Sequence, residues 1–311
     1  MLTKESPNLS IIIVSYNVSE LLDICLHTVY EYTKGISFEV IVVDSASADA
    51  SAEMVAKKYP QVTLIASKVN LGFTKGNNAG MKLATGKHVL YLNPDVELIN
   101  DSLSLLFQYL EAHGDVGAVG PKLLNTDRTH QNSIGRYTRL SNLWNEYVMR
   151  ERMDTHGIEH PDYPFDVEFV LGACLLVQGD IARKVGGLDE RYFMYQEEAD
   201  LCMTIHKMGM KVMYVPSIEL IHHGSKSATK SVESRQRTFH ENRKSQYLFI
   251  RKNFSLGSAF LAWLLLLFVC KVKLISFGLK WLTQPKNREE LSVKLRYNWA
   301  TWWWLISSRH N

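Results

Sequence analysis

The chain alternates short apolar runs with segments whose apolar residues recur every three to four positions. The runs IIIVSY (11–16), FEVIVVD (38–44), VTLIA (62–66), HVLYL (88–92) and VGAVG (116–120) read as strands, being short and almost wholly apolar. Helical patterns lie between them. Residues 20–32 place Leu21, Cys25, Thr28 and Val29 at helical spacing, and 47–58 open on Ser47 or Asp49 as a cap. Residues 75–85 end before Gly86, and 101–111 form a further helical stretch. Strands that are apolar throughout are covered on both faces, so the pattern predicts an α/β fold with a mostly parallel sheet flanked by helices. In such sheets ligands bind beyond the carboxyl ends of the strands, which is where Asn17, Asp44 and Asp95 fall.

The pattern changes in the last quarter of the chain. Residues 259–270 are twelve consecutive apolar residues, and extending back to Phe254 makes 17, broken only by Ser255, Gly257 and Ser258. A 17-residue helix reaches about 25 Å, short of the roughly 30 Å hydrocarbon core of a bilayer. The following KVKLISFGLKWL intersperses Lys271, Lys273 and Lys280 with apolar residues, as a helix lying in the membrane interface does. Charge sharpens the division. The formal net charge of +3 splits into −8 for residues 1–234 (21 basic, 29 acidic) and +11 for 235–311 (14 basic, 3 acidic). Six of the seven Trp also lie in the second part, and aromatic rings of this kind prefer headgroup depth. The expected organisation is therefore a catalytic-type α/β domain over 1–234 and a basic, Trp-rich helical extension over 235–311. That extension predicts peripheral or monotopic attachment to an anionic membrane surface, with a buried helical hairpin as the alternative.

Several classes are excluded. The four Cys form no CxxC, which argues against a zinc ribbon and a disulfide framework and fits a reducing compartment. The first strand is not followed by GxGxxG, and no GxxxxGK[ST] or GxSxG occurs, so dinucleotide, P-loop and α/β-hydrolase sites are disfavoured. The N-terminal stretch MLTKESPNLSIIIVSYN has one Lys and then a strand-like run, and does not read as a secretory signal. A nucleic-acid partner is not expected, since the long apolar run is out of place in a phosphate-binding tail.

Candidate chemistry gathers at a few points. Asp44 stands at a strand end before a helix, a position suited either to accepting a hydrogen bond from a nucleotide or to capping a turn. Asp95 follows Asn93-Pro94, whose restricted backbone makes the loop stiff. A hard dication needs only one or two such carboxylates when diphosphate oxygens supply much of the shell. Glu197, Glu198 and Asp200 open a helix after the aromatic-rich loop Tyr192, Phe193, Tyr195. Like charges there raise a carboxyl pKa, as a general base requires, although acidic residues also simply favour a helix N-terminus. His222 and His223 follow the strand-like 212–221 and suit a metal or phosphate.

Taken together, IIIVSYN (11–17), VVDSASADAS (42–51), NLGFTKGNNAGMKLATGKHVLYLNPD (70–95), VGAVGPKL (116–123), FVLGACLLV (169–177), VGGLDERYFMYQEEADLC (185–202) and HHGSKS (222–227) resemble an inverting family-2 glycosyltransferase with the GT-A fold. The bacterial rhamnosyltransferase-like enzymes of cell-surface polysaccharide synthesis are the nearest group. The resemblance implies a nucleoside-diphosphate sugar donor, with Ser15, Asn17, Asp44, Asn77 and Asp95 at the donor. It implies Mn²⁺ or Mg²⁺ at Asp95, within the DxD-type motif written here Asn93-Pro94-Asp95, with His222 nearby. Ser225 stands where the family's HxxGxS has Gly. The family base is the Asp of an EDxD element, here Glu197-Glu198-Ala199-Asp200, so the base position holds Glu198, with Glu197 and Asp200 as alternates. Gly172, Cys174, Tyr195 and Glu197 fall at the implied acceptor and sugar pocket. A saccharide or polyprenyl-linked acceptor at the cytoplasmic face of the cell membrane completes the expectation. The rival, a nucleotidyltransferase, requires a basic phosphate loop after the first strand, and Tyr16-Asn17-Val18-Ser19 has no positive charge.

Overall fold

The computed structural model describes residues 6–149, 161–224 and 232–307. In chain order the elements are β1 (Leu9–Ser15), α1 (Ser19–Tyr32), β2 (Phe38–Asp44), α2 (Ser51–Lys58), β3 (Thr63–Ala66), α3 (Gly72–Met81), β4 (His88–Leu92), β5 (Val96–Leu98), α4 (Ser102–Ala112) and β6 (Val116–Leu124). There follow β7 (His130–Gln131), β8 (Ile134–Gly135), α5 (Leu140–Trp144), β9 (Phe165–Asp166), β10 (Phe169–Val170), β11 (Cys174–Gln178), α6 (Gly179–Val185), α7 (Glu197–Lys207) and β12 (Lys211–His222). The chain closes with α8 (Val232–Asn253), α9 (Leu256–Thr283) and α10 (Arg288–Ser307).

Two compact units result. The first comprises 6–137, 161–193 and 197–224 of the described residues, and the second 138–149, 194–196 and 232–307. Composition places the change of character at 234/235 and does not show that 138–149 groups with the C-terminal helices. The reason is packing. Leu143 of α5 shares a buried cluster with Tyr247, Ile250, Ala259, Ala262, Leu266, Cys270 and Leu305.

In the first unit the sheet order is β3-β2-β1-β4-β11-β6-β12-β5, with β7 beside β6 and β9 beside β12. Strands β3, β2, β1 and β4 are parallel, as their apolar runs predict, and β6 and β12 are parallel to each other. Strand β11 is antiparallel to both β4 and β6, making the sheet mixed. One face carries Leu9, Ile11, Ile13, Val40 and Val42 against Leu22, Cys25 and Leu26 of α1, Val55 of α2 and Leu103, Leu106 and Leu110 of α4. The buried stripe of α1 includes Leu22 and Leu26, with Leu21 only half-buried. Helix α3 lies on the other face. A Cβ at Gly76 would sit 2.8 Å from Val14 Cγ1 and one at Gly80 2.5 Å from Ile12 Cγ2, so glycine lets this helix approach β1.

The second unit is helical. Helix α9 runs unbroken for 28 residues, about 42 Å at 1.5 Å per residue, so Lys271 and Lys273 lie within it rather than opening a separate interfacial helix. Its narrow face, Ala259, Ala262, Leu266, Val269 and Cys270, is buried, and the Trp263 indole N–H donates to the Leu305 carbonyl at 2.8 Å. The opposite stripe is exposed: Phe260, Leu264, Phe268, Val272, Ile275, Leu279 and Leu282 recur at three- and four-residue steps. By length and apolar composition α9 is also sufficient to cross a membrane.

Candidate active site

Parallel strands β1, β2 and β4 deliver their carboxyl ends to one edge of the sheet. Ser15 pairs with Asp44 at the ends of β1 and β2, and Ile13 pairs with Leu92 at the end of β4. Asp44 is 3% exposed. Its Oδ2 accepts from the Ser47 N–H at 2.9 Å, while its Oδ1 and the neighbouring Ser15 Oγ are buried without a hydrogen-bond partner among the described residues. Buried carboxylate oxygens are rarely left so, and an incoming donor such as a base N–H satisfies this one. Asn17 has a different task. Its backbone is left-handed (φ 55°), its Oδ1 accepts from the Ala48 N–H at 2.7 Å, and its own N–H donates to Ser47 Oγ at 3.0 Å. The side chain ties the two strand-end loops together. Asn77 is likewise engaged, donating from Nδ2 to the Phe73 carbonyl one helical turn earlier at 3.0 Å.

Asp95 stands just past β4, and β12 returns beside β5 to bring His222 to it. The two side chains are 14% and 16% exposed, and Asp95 Oδ1 lies 3.3 Å from His222 Nε2. Asn93 Nδ2 is 3.5 Å from the same nitrogen. The ring is held from behind by Gln131 of β7, whose Oε1 is 2.6 Å from His222 Nδ1 and whose Nε2 donates to the His222 carbonyl at 3.0 Å. His223 turns away and pairs with Glu97 at 2.8 Å, while its N–H donates to the Asp95 carbonyl at 2.9 Å. Ser225 and Ser227 of the motif lie outside the described residues. Among the described residues no group of three or more His, Cys, Asp and Glu side chains is arranged to hold a metal. Asp95 and His222 therefore offer two ligands, which suits a hard cation that completes its shell with water and diphosphate oxygens.

The carboxylates of α7 are joined to this edge through β11. Because β11 is antiparallel to β4, its beginning meets the end of β4, and the Asn93 N–H donates to the Ala173 carbonyl at 2.9 Å. Gly172, one residue earlier, faces Glu198, since a Cβ there would sit 3.7 Å from Glu198 Cβ. Cys174 is fully packed in the sheet core, so only its backbone borders the site; burial pushes its thiol pKa up. Tyr195 and Gln196 both take left-handed backbone (φ 71° and 70°) immediately before α7.

The three carboxylates differ sharply. Burial, with the Glu198 charge second, holds the Glu197 carboxyl well above the ordinary range. Burial also raises Glu198, but backbone N–H groups including that of Gly172, and the Glu197 side chain, pull it back down. Of the two, Glu197 is thus held more firmly in its neutral form, and Glu198 is the one whose carboxylate form the neighbouring N–H groups favour. Each keeps a buried Oε2 without a partner among the described residues. Asp200, by contrast, accepts from the Tyr192 hydroxyl at 3.4 Å inside the protein. The structure has Asp44 and Asp95 at strand ends, where the sequence reading puts them, and brings His222 beside Asp95. The sequence carries no sign of Gln131, which lies in a polar loop segment with no motif spacing to His222.

Known proteins resemble this chain in sequence and in fold. Over 231 residues the chain is 29% identical to an N-acetylglucosaminyl-diphospho-decaprenol L-rhamnosyltransferase of Mycobacterium tuberculosis, covering 68% of this chain and 74% of that one. It is 25% identical to the rhamnosyltransferase WbbL of Escherichia coli over 60% of this chain and 73% of WbbL. In structure it is similar to a mannosyltransferase of Pyrobaculum calidifontis solved with GDP-Man and Mn²⁺, with a TM-score of 0.57 at 16% identity, covering 98% of this chain and 89% of the other. GalNAc-T7 solved with UDP, GalNAc and Mn²⁺ gives a TM-score of 0.58 at 13% identity, over 80% of this chain and 48% of that one. These likenesses establish the GT-A type of fold. The family model for glycosyl transferase family 2 matches residues 10–165, half of the chain, and the chain belongs to that family.

Proposed function

We propose that this glycosyltransferase moves a hexosyl group, rhamnosyl first among the candidates, from a nucleoside diphosphate to a hydroxyl of a lipid-linked saccharide, with inversion at the anomeric carbon. The observation that carries the reading is the pairing of two different acidic sites across one strand pair: Asp95 with His222 at the end of β4, and Glu198 beside Gly172 at the start of β11.

In this reading the unpartnered oxygen of Asp44 and the Ser15 hydroxyl receive the nucleoside. Asp95 and His222 hold Mn²⁺ or Mg²⁺ on the diphosphate, and the bound ion supplies charge stabilisation for the departing group. Glu198 accepts the proton of the acceptor hydroxyl as that oxygen attacks opposite the leaving group. Glu197, raised further by burial and by the Glu198 charge, is the neutral neighbour of that base. No side chain forms a covalent intermediate. The names of the Mycobacterium and Escherichia relatives support a rhamnosyl donor, and the former supports a polyprenyl-diphosphate acceptor.

The acceptor's lipid accounts for the second unit. The exposed stripe of α9, with Trp299, Trp303 and Ile306 exposed on α10, beds in the interface of the cytoplasmic leaflet of the cell membrane, while the +11 charge of residues 235–311 draws anionic lipid. Hydrolysis and transfer assays across a panel of dTDP-, UDP- and GDP-sugars with Mn²⁺ test the assignment. Turnover of dTDP-rhamnose onto a polyprenyl-diphosphate saccharide is the expected result. Condensation of a sugar phosphate with a nucleoside triphosphate, without transfer, overturns it.

A further inference from the structure

We infer that Gln131 is a positioning residue that fixes which nitrogen of His222 faces the metal. The inference rests on the reading that Asp95 and His222 hold a divalent cation.

The hydrogen-bond network assigns every atom involved. Asn125 Nδ2 points at two oxygens, Thr129 Oγ1 at 3.0 Å and the His130 carbonyl at 3.3 Å, so it is the amide nitrogen and Oδ1 is an acceptor. Gln131 Nε2 faces that Oδ1 at 2.9 Å and the His222 carbonyl at 3.0 Å, both acceptors, so the Gln131 amide cannot be turned over. Its Oε1 is therefore an acceptor 2.6 Å from His222 Nδ1, and Nδ1 must carry the proton. The neutral ring then has its lone pair on Nε2. That lone pair and Asp95 Oδ1, 3.3 Å apart, are then two acceptors placed where one cation can take both.

The device is rigid for a reason visible in the fold. Gln131 pairs with Leu123 across β7 and β6, and β6 runs parallel to β12, which ends on His222. Clamp and ligand thus stand on the two strands that flank β6. Gln131 grips His222 at two points: the bond to the carbonyl holds the amide in place, and a ring flip or an exchange of tautomer forfeits the bond to Nδ1. A hydrogen bond to the far nitrogen of a metal-ligating His orients the ring and raises its basicity, and losing one costs about 10–100-fold in metal affinity.

The test uses the full chain with Mn²⁺ alone as probe, free ion being counted by electron paramagnetic resonance. Gln131→Met, close in shape but without either hydrogen bond, should weaken Mn²⁺ by about 10–100-fold. Gln131→Glu keeps an acceptor for Nδ1–H but sets its second oxygen against Asn125 Oδ1 and the His222 carbonyl, so it should recover part of the affinity that Gln131→Met loses. Proton–nitrogen correlation spectra of ¹⁵N-histidine protein with Mg²⁺ should show His222 protonated on Nδ1, its signals identified by their loss in His222→Asn. An Nε2–H tautomer in the parent protein overturns the inference whether or not any variant folds. So does a folded Gln131→Met with parental Mn²⁺ affinity while Asp95→Asn loses it. If Asp95→Asn also binds like the parent, it is the metal reading itself that fails.

Discussion

Replacing Glu198 by Gln should stop sugar transfer while leaving fold and donor affinity in place. The amide keeps an oxygen for the Gly172 N–H and the shape of the side chain, so the packing at the start of β11 and α7 is retained. What is lost is the capacity to take a proton. A positioned general base contributes about 10²–10⁴-fold, or roughly 2.7–5.5 kcal/mol of barrier, and that loss should appear in kcat with KM for the donor nearly unchanged. Two neighbours supply the contrast. Glu197→Gln keeps a neutral side chain of the same shape beside Glu198 and should keep most turnover. Asp200→Asn disturbs a buried contact with the Tyr192 hydroxyl and should cost about 1 kcal/mol of stability, read as a lower Tm more than as lost kcat. Steady-state kinetics and thermal melts of the three variants decide the matter. A Glu198→Gln enzyme with parental turnover refutes the reasoning. So does one whose donor affinity falls in step with kcat, which would make Glu198 a donor ligand.

Other consequences can be measured directly. Asp95→Asn should abolish the Mn²⁺-dependent part of donor binding, followed by calorimetry with and without the ion, because one of two protein ligands loses its charge. The raised carboxyl of Glu197 means that the folded chain holds a proton that the unfolded chain releases from about its ordinary value of 4.5 upward. Its stabilising contribution is full below that value and is lost as pH rises to the folded value, so urea midpoints should fall across this window and Glu197→Gln should flatten the slope. Replacing Phe260, Leu264 and Phe268 with Ser should cut flotation with anionic vesicles by at least about tenfold, since each buried side chain of this size contributes about 1.5–3 kcal/mol, while melting is unchanged because all three are exposed or half-exposed. Parental flotation of that variant would remove α9 from the membrane contact.

The parts of this protein legible in sequence are those where one physical rule dominates. Strands β1, β2 and β4 are apolar on both faces because helices cover both, so their runs and their polar ends stand out. The carboxylates at those ends follow from topology. Elsewhere the rule is non-local. The two-residue strands β7 to β10 carry no periodic signal, and Gln131 acquires its purpose only because β6 places it beside β12. Residues 138–149 look like any amphipathic stretch until Leu143 meets Ile250 and Leu266. Helix α9 reads as a short apolar run followed by a basic segment because lysines interrupt the hydropathy, yet lysine is a good helix former and the backbone continues through them. One side of α9 is covered by its own unit and the other is bare.

The reversed strand β11 has a further consequence. Because it enters the sheet against the direction of β4, the loop bearing Asp95 and the turn bearing Gly172 are welded by the bond from Asn93 to Ala173 rather than hung on separate loops. On the roles proposed for Asp95 and Glu198, the spacing between the leaving-group end and the proton-accepting end of the reaction is thus a lattice constant of the sheet. Such a frame tolerates drift in the surrounding loops, so a lineage of these enzymes can exchange one sugar or one acceptor for another by remodelling its rim while the reaction coordinate keeps its length.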